Sequence, residues 1–76
     1  MTSKQDAERY TIEVLVVALD VIEFLAQRPG GAPGCTTTHI AKALGLHRNR
    51  VFRILKTLQY HGYVTVDPEA RTYRLS

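Results

Sequence analysis

The chain has 76 residues, of which 45% are hydrophobic and 22% charged, so it has the composition of one small soluble domain and not of a disordered or fibrous chain. Its net charge of +3 is unevenly divided: residues 1–34 carry three basic and five acidic side chains, and residues 35–76 carry seven basic and two acidic ones. The basic second half favours a polyanion-binding surface, with a merely solvated basic face as the alternative.

The first part of the chain predicts an arm followed by a helix. Residues 1–9 are polar and aperiodic, which predicts a flexible N-terminal arm beside a single domain at residues 10–76. Apolar side chains then recur at helical spacing over residues 10–27. This stretch is too short and too charged to span a bilayer, and no signal-peptide cleavage site follows it. We therefore expect a cytoplasmic protein.

The predicted first helix is apolar over more than half of its circumference, which is more than one core contact requires. One stripe comprises Ile12, Leu15, Leu19, Ile22 and Ala26, and a second comprises Val14, Val17, Val21, Phe24 and Leu25. Either the small domain wraps this helix on two sides, or the surplus surface packs against a second chain. In the second case the candidate dimer contacts are Ile12, Leu15, Leu19 and Val21.

The middle of the chain predicts a short strand and a short helix. Two prolines and three glycines in residues 28–34 end the first helix in a loop. Residues 35–37 are rich in β-branched side chains, which favours an edge strand. Thr38 is then a plausible N-cap for a helix over residues 39–44, which Gly45 ends in the left-handed conformation.

The remaining sequence completes a recognisable architecture. After a tight turn at Leu46, residues 48–61 predict a third helix that ends at Gly62, and residues 63–75 predict a β-hairpin around a turn at its centre. Alternation places four side chains on one face of the hairpin: Val64, Val66, Tyr73 and Leu75. The predicted fold is mainly α with a small β-hairpin wing, a three-helix winged helix-turn-helix.

The third helix has an apolar seam on one side and a basic face on the other. The seam consists of Val51, Ile54, Leu55 and Leu58, and the opposite face and its flanks carry Arg48, Asn49, Arg50, Phe52, Arg53, Lys56 and Tyr60. Arginine can bond both acceptors of guanine, and asparagine the donor and acceptor of adenine, so this face suits a DNA major groove. An exposed Phe52 argues against a merely solvated face, because it needs a partner such as a thymine methyl group.

Two further features predict contacts with the DNA backbone. A helix that starts near Thr37 and Thr38 offers free backbone N–H groups and two hydroxyls to a phosphate. In a winged variant of the fold, Arg71 at the tip of the wing reaches a neighbouring phosphate or the minor groove.

Residues 36–46 (TTTHIAKALGL), 51–58 (VFRILKTL) and 62–64 (GYV) form a combined pattern that resembles the N-terminal winged helix-turn-helix of IclR-type bacterial transcription regulators. Residues 17–26 (VALDVIEFLA) are similar to the first helix of that family, and DPE at 67–69 with YRL at 73–75 is similar to its wing. The resemblance covers about residues 14–76.

This resemblance implies a homodimer that binds a pseudo-palindromic double-stranded operator, with dimer contacts through the first helix and arm. Carried over by position, the base and phosphate readers are Asn49, Arg50, Phe52 and Arg53, and the backbone contacts are Arg48, Lys56, Thr37 and Thr38. The chain departs from the family pattern at His47, where proline is usual, at Asn49-Arg50, where Ser-Thr is frequent, and at Arg71, where glycine is usual. Its operator preference is therefore not transferred from the family.

Family members normally continue into an effector-binding domain of about 150–180 residues. This sequence ends at Ser76, where the wing should finish. We therefore expect either an excised DNA-binding domain or a single-domain regulator, with the small-molecule effector domain absent.

Other chemistries find little support in the sequence. Serine occurs only at Ser3 and Ser76, so an enzyme is not expected, and Cys35 with the three histidines lacks the paired spacing of a metal site. No cofactor is predicted. Cys35 itself is interpreted as a buried structural thiol, with a redox-sensitive thiol as the alternative. The main rival function is a winged-helix module for protein–protein contact, and RNA binding is a weaker one.

Overall fold

The structure, a computed structural model, describes residues 10–28 and 33–76. Its elements follow in the order α1 (Glu13–Ala26), β1 (Cys35–Thr36), α2 (Thr37–Leu44), α3 (Arg48–Tyr60), β2 (Val64–Asp67) and β3 (Thr72–Leu75). The predicted fold is confirmed: the described residues form three helices, with a tight turn between α2 and α3 and a hairpin after α3. The predicted arm at residues 1–9 and the loop residues 29–32 lie outside the described residues.

One of the two apolar stripes of α1 faces the core, and the other faces solvent. Val17, Val21 and Leu25 are buried, whereas Leu15 and Leu19 are 54% and 48% exposed. The described part of the domain therefore does not wrap α1 on two sides. Val21 is 0% exposed, so its assignment as a dimer contact is wrong, because the core of the same chain already covers it.

The hairpin belongs to a three-stranded antiparallel sheet of order β1-β3-β2. Val64 lies opposite Leu75 and Val66 opposite Tyr73, so the apolar side chains share one face as predicted. The predicted edge strand is also confirmed, and in it Cys35 pairs with Tyr73. Because α2 begins directly after β1, this strand connects the hairpin to the start of the helix-turn-helix.

A glycine permits the close approach of β1 to β3. A Cβ atom on Gly34 would lie 2.7 Å from the carbonyl oxygen of Tyr73, well inside van der Waals contact. The atom in the way belongs to the backbone of the central strand, so it cannot move aside without disturbing the ladder. Gly34 is therefore required by packing.

The start of α2 differs from the prediction. Its N-cap is Thr36, not Thr38: the Thr36 backbone is extended, and its Oγ1 accepts a hydrogen bond of 3.1 Å from the N–H of His39. The helix consequently begins two residues earlier than the sequence suggested. At its other end Gly45 takes the left-handed conformation (φ 67°), as predicted.

The core lies between the three helices and the inner face of the sheet. Its buried members are Val17, Val21, Leu25, Cys35, Ile40, Ala41, Val51, Ile54, Leu55, Val64 and Tyr73. All three helices and both strands of the hairpin contribute, so the arrangement of the polar face of α3 depends on every element. Within the described residues, none of the helices has the length and apolar character needed to cross a bilayer.

Candidate nucleic-acid interface

The turn between α2 and α3 presents the first residues of α3 at the surface. After the left-handed Gly45, the N–H of Leu46 donates a 2.9 Å hydrogen bond to the carbonyl oxygen of Ala41, which closes α2. His47 precedes α3 and its side chain makes no capping bond. The first backbone N–H groups of α3 therefore receive no cap from the His47 side chain.

Apolar and polar side chains lie on opposite faces of α3. The inward seam is confirmed, since Val51, Ile54 and Leu55 are buried. On α3, the exposed members of the predicted DNA-contacting set are Arg48, Asn49, Phe52, Arg53 and Lys56. Arg50 is only partly exposed and lies on the flank of this face. The structure thus brings the predicted α3 residues together on one basic surface.

A groove of about 600 Å³ separates α3 from the hairpin, here called the wing (residues 64–75). Phe52 and Tyr73 supply apolar walls, and Arg48, Lys56 and Arg71 supply positive charge around them. The Lys56 Nζ atom lies 5.5 Å from the centre of the Phe52 ring and 5.8 Å from that of Tyr73. This wing groove therefore combines three cations with aromatic surface, which suits a sugar–phosphate chain.

The threonines at the start of α2 open into the same groove. Thr37 is 7% exposed and lines it, and no hydrogen bond of the Thr37 hydroxyl to another described residue is found. Thr38 is exposed and its Oγ1 accepts a 3.2 Å bond from the Nε of Arg48. The Thr38 hydroxyl is thus bonded to a guanidinium, and both threonines lie at the N-terminus of α2, where a phosphate would be favoured.

The tip of the wing holds an arginine in a backbone conformation that favours glycine. Arg71 has a φ of 56°. The turn before it is built by Asp67, whose Oδ1 accepts bonds from the N–H groups of Glu69 (3.0 Å) and Ala70 (3.2 Å). The N–H of Arg71 donates to the carbonyl oxygen of Asp67 at 2.7 Å. The turn forms without the glycine usual in the family, and Arg71 remains exposed beside the wing groove.

One polar contact of α3 was missed by sequence reasoning. The guanidinium of Arg50 lies 3.2 Å from a carboxylate oxygen of Glu13 in the first turn of α1. The two residues are 37 positions apart in the chain, so helical spacing does not relate them. No sequence signal in this single chain would have indicated the pairing.

A continuous apolar strip runs along the solvent side of α1. It consists of Ile12, Leu15, Val16 and Leu19, which are between 39% and 64% exposed, and is called the α1 patch below. Their spacing of three and four residues places them on one side of the helix. Three of the four predicted dimer contacts therefore lie at the surface, and Val16 joins them.

Cys35 lies in β1 and belongs to the core. It is 2% exposed, and this burial raises the pKa of its thiol above the usual value, while the charge of Arg28 acts weakly in the opposite direction. A buried thiol of raised pKa is a poor nucleophile. Among residues 10–28 and 33–76, no group of three or more potential metal ligands comes together.

The fold and the basic face of α3 define the class of winged helix-turn-helix domains that bind nucleic acid. The family model described as the IclR helix-turn-helix domain matches residues 14–68, and the chain belongs to this family. The family resemblance seen in the sequence is therefore confirmed.

Individual relatives agree with this membership. The chain is similar to the DNA-binding transcriptional repressor YiaJ of Escherichia coli K12, with 41% identity over 58 residues. This match covers 76% of the chain but 20% of YiaJ, so the chain spans a fifth of the length of that relative.

Solved structures show the same fold. An IclR transcriptional regulator from Alicyclobacillus acidocaldarius superposes with a TM-score of 0.77 at 31% identity, over 88% of this chain and 26% of that one. The Zalpha domain of Cyprinid Herpesvirus3 ORF112, solved for its binding to Z-DNA, has a TM-score of 0.71 at 26% identity, over 82% of this chain and 95% of its own.

Proposed function

We propose that residues 10–76 act as the DNA-binding domain of a transcription regulator and bind a specific double-stranded sequence through α3. The exposed face of α3 carries the proposal, because Asn49 and Arg53 lie one helical turn apart directly opposite the buried seam. In the major groove these two side chains can bond the edges of adenine and guanine. Membership of the IclR family supports the proposal, and the relative YiaJ is a DNA-binding repressor.

The wing groove is proposed to hold the DNA backbone. Arg48, Lys56 and Arg71 supply the charge for phosphate contacts, and the hydroxyls of Thr37 and Thr38 supply hydrogen bonds at the start of α2. Phe52, which is 43% exposed, offers its ring to a sugar or a thymine methyl group. Such contacts fix the register of the domain on DNA, and the base contacts of α3 then select the sequence.

We further propose that two copies of the chain associate through the α1 patch. Ile12, Leu15 and Leu19 expose a continuous apolar surface that water solvates poorly, and a second copy would cover it. A two-fold dimer would present two α3 helices to an inverted repeat, whose spacing is set by the dimer geometry.

The dimer is tested by Leu15→Glu, which places a charge in the α1 patch. Sedimentation equilibrium should show a monomer, and affinity for the full operator should fall. Gln27→Glu is the control, since it adds the same charge at the exposed residue that follows α1, outside the patch. Equal behaviour of the two variants would assign the patch to some other role.

The proposed activity is binding alone, in the cytoplasm, without catalysis or a cofactor. The relatives are transcription regulators, which supports a protein that acts by occupying DNA. The match to YiaJ spans 20% of that repressor. A small-molecule effector site of the kind that the resemblance implies is therefore proposed to lie outside this domain.

The function is tested by incubating the purified chain with a random pool of duplex DNA at several salt concentrations and sequencing what it retains. We expect an enriched inverted repeat and an affinity that falls steeply with salt. Each phosphate contact should make the logarithm of the binding constant fall by about 0.9 for every tenfold rise in salt concentration. Retention without enrichment would contradict sequence-specific binding. Loss of retention even at low salt would favour the rival function, a winged-helix module for an acidic protein partner.

Two arginine variants separate base reading from general electrostatics. Arg53→Ala should weaken operator binding by about 1–3 kcal/mol and relax the preference at one base pair. Arg74→Ala is the control, because Arg74 is also exposed but lies next to Tyr73 in β3, on the opposite face of the sheet from the wing groove. If Arg53→Ala weakens binding to all sequences equally, Arg53 contacts phosphate instead.

Left-handed DNA is the second candidate ligand, favoured by the similarity to the ORF112 Zalpha domain. The same assay decides between the two with an alternating dC-dG duplex held in the Z form. The exposed Asn49 and Arg53 favour right-handed DNA, whose major groove displays the donors and acceptors that they can bond. Stronger binding to the Z-form duplex than to any selected B-form sequence would reverse this assignment.

A further inference from the structure

The ion pair between Glu13 and Arg50 joins the first turn of α1 to the first turn of α3. Its N–O distance is 3.2 Å, and it is the one salt bridge formed among residues 10–28 and 33–76. Every other basic side chain on the polar face of α3 lacks an acidic partner in the described chain. Arg50 therefore differs from its neighbours in having its charge already compensated within the protein.

The position of the pair places it at the edge of the proposed DNA-contacting surface. Arg50 follows Asn49 on α3 and points to the α1 side of that helix, into an open cleft of about 610 Å³ that it shares with Val14, Asn49 and Arg53. The Arg50 side chain is 39% exposed and that of Glu13 is 81% exposed. The carboxylate is thus at the surface, where a DNA strand lying along this flank would approach.

A carboxylate and a phosphate bind a guanidinium in the same way. Both accept two parallel N–H bonds from its planar fork, and both are negatively charged. A phosphate that approaches Arg50 therefore meets Glu13 as a competitor for the same donors and as a like charge. Glu13 occupies the Nη1 donor of Arg50 at 3.2 Å, so a phosphate that takes this donor must displace it. A phosphate at the remaining donors of the guanidinium would still be repelled by the charge of Glu13.

We propose that Glu13 is an intramolecular competitor of the DNA backbone for Arg50, and that it lowers the affinity of the domain for DNA. In the free domain Glu13 holds Arg50 against α1. In the complex a backbone phosphate on the α1 side of α3 takes its place, and Glu13 turns to solvent. This inference rests on the proposed function, because it assigns Glu13 a part in the same DNA interface.

The matched pair of substitutions is Glu13→Gln and Glu23→Gln. Both remove one negative charge from an exposed position of α1, but Glu23 forms no salt bridge with any described residue. An exposed ion pair is weak, so Glu13→Gln should bind the selected operator about 1.5- to 5-fold more tightly than Glu23→Gln. The gain should shrink as salt rises, because salt screens the competing charge.

Arg50→Gln tests whether the effect passes through the proposed partner. In this background Glu13→Gln should raise the affinity for the operator no more than Glu23→Gln does, since the donor for which the two anions compete is gone. Denaturant unfolding of each variant reports any change in folding separately. Glu13 lies at the N-terminus of a helix, where its charge is favourable, so a small loss of stability is expected without a loss of DNA affinity.

The outcomes separate this inference from the proposed function. If Glu13→Gln matches Glu23→Gln, or binds more weakly than the unaltered chain, Glu13 does not compete and the inference is wrong while DNA binding stands. A gain that persists in the Arg50→Gln background also overturns it. If the unaltered chain retains no duplex at any salt concentration, the proposed function fails and takes this inference with it.

Discussion

The two faces of α1 provide the sharpest test of the structure, through Val21→Ala and Leu19→Ala. Val21 is 0% exposed and faces the core, whereas Leu19 is 48% exposed and belongs to the α1 patch. Both substitutions shorten an apolar side chain on the same helix, only two residues apart. Val21→Ala removes contacts within the core, whereas Leu19→Ala removes apolar surface from the α1 patch.

The magnitudes follow from burial. Val21→Ala removes two carbons from a filled core, which costs about 1.5–3 kcal/mol once the cavity is included. A chain of 76 residues has a total stability of about 4–11 kcal/mol, so this is a large fraction. Leu19→Ala removes three carbons from a half-exposed site that water can refill, so the monomer loses about 1 kcal/mol.

Thermal and denaturant unfolding at several protein concentrations measures both effects. Val21→Ala should lower the unfolding free energy at every concentration. Leu19→Ala should lower it by only about 1 kcal/mol at low concentration, but should abolish the rise in Tm with concentration that a dimer shows. If Leu19→Ala lowered the unfolding free energy as much as Val21→Ala at every concentration, then the stripe that contains Leu19 would face the core. The described packing of α1 would then be refuted.

Three further variants test individual features of the fold. Thr36→Ala should lower the unfolding free energy by about 1 kcal/mol, because it removes the cap of α2, whereas Thr36→Ser should retain most of the stability. Denaturant titration compares the two variants, and equal unfolding free energies would contradict the assigned cap. Arg71→Asn should raise the unfolding free energy by about 0.5–1 kcal/mol, since asparagine tolerates a positive φ, and should weaken DNA binding because a charge is lost. A variant that loses both stability and DNA affinity would contradict backbone strain at φ 56°. The Cys35 thiol should react with an alkylating reagent at pH 8 only as fast as the domain unfolds, because burial raises its pKa and blocks access. Rapid labelling of the folded chain would show that the thiol is accessible.

Local sequence signals were sufficient for most of the fold. Gly45 and Gly62 both have a positive φ and lie just after helix ends, where only a residue without a Cβ is comfortable. The alternation of Val64 and Val66 fixed the face of the hairpin, because a strand has a side-chain period of two. The basic face of α3 could likewise be predicted from periodicity alone, in this case the 3.6-residue period of a helix.

Other features depend on tertiary contacts that a sequence pattern does not contain. Three consecutive threonines can each cap a helix, and Thr36 is chosen because β1 pairs with β3 up to that residue. α1 has two apolar stripes of five residues each. Packing of α1 against the sheet and α2 places the stripe that contains Val21 against the core. The pairing of Glu13 with Arg50 depends on how α1 crosses α3, which periodicity does not specify.

The two residues of β1 have a consequence for how the domain would meet DNA. A hairpin attached only at its ends can swing, but here its inner strand is paired on both edges and β1 continues without a break into α2. The backbone distance between Arg71 at the tip and Thr37 at the helix start is therefore set when the chain folds, and little backbone entropy remains to be lost on binding. Since the protein is stiff across this span, the duplex must supply the adjustment. Operators whose base steps bend easily at that point should be preferred, even where no side chain touches a base.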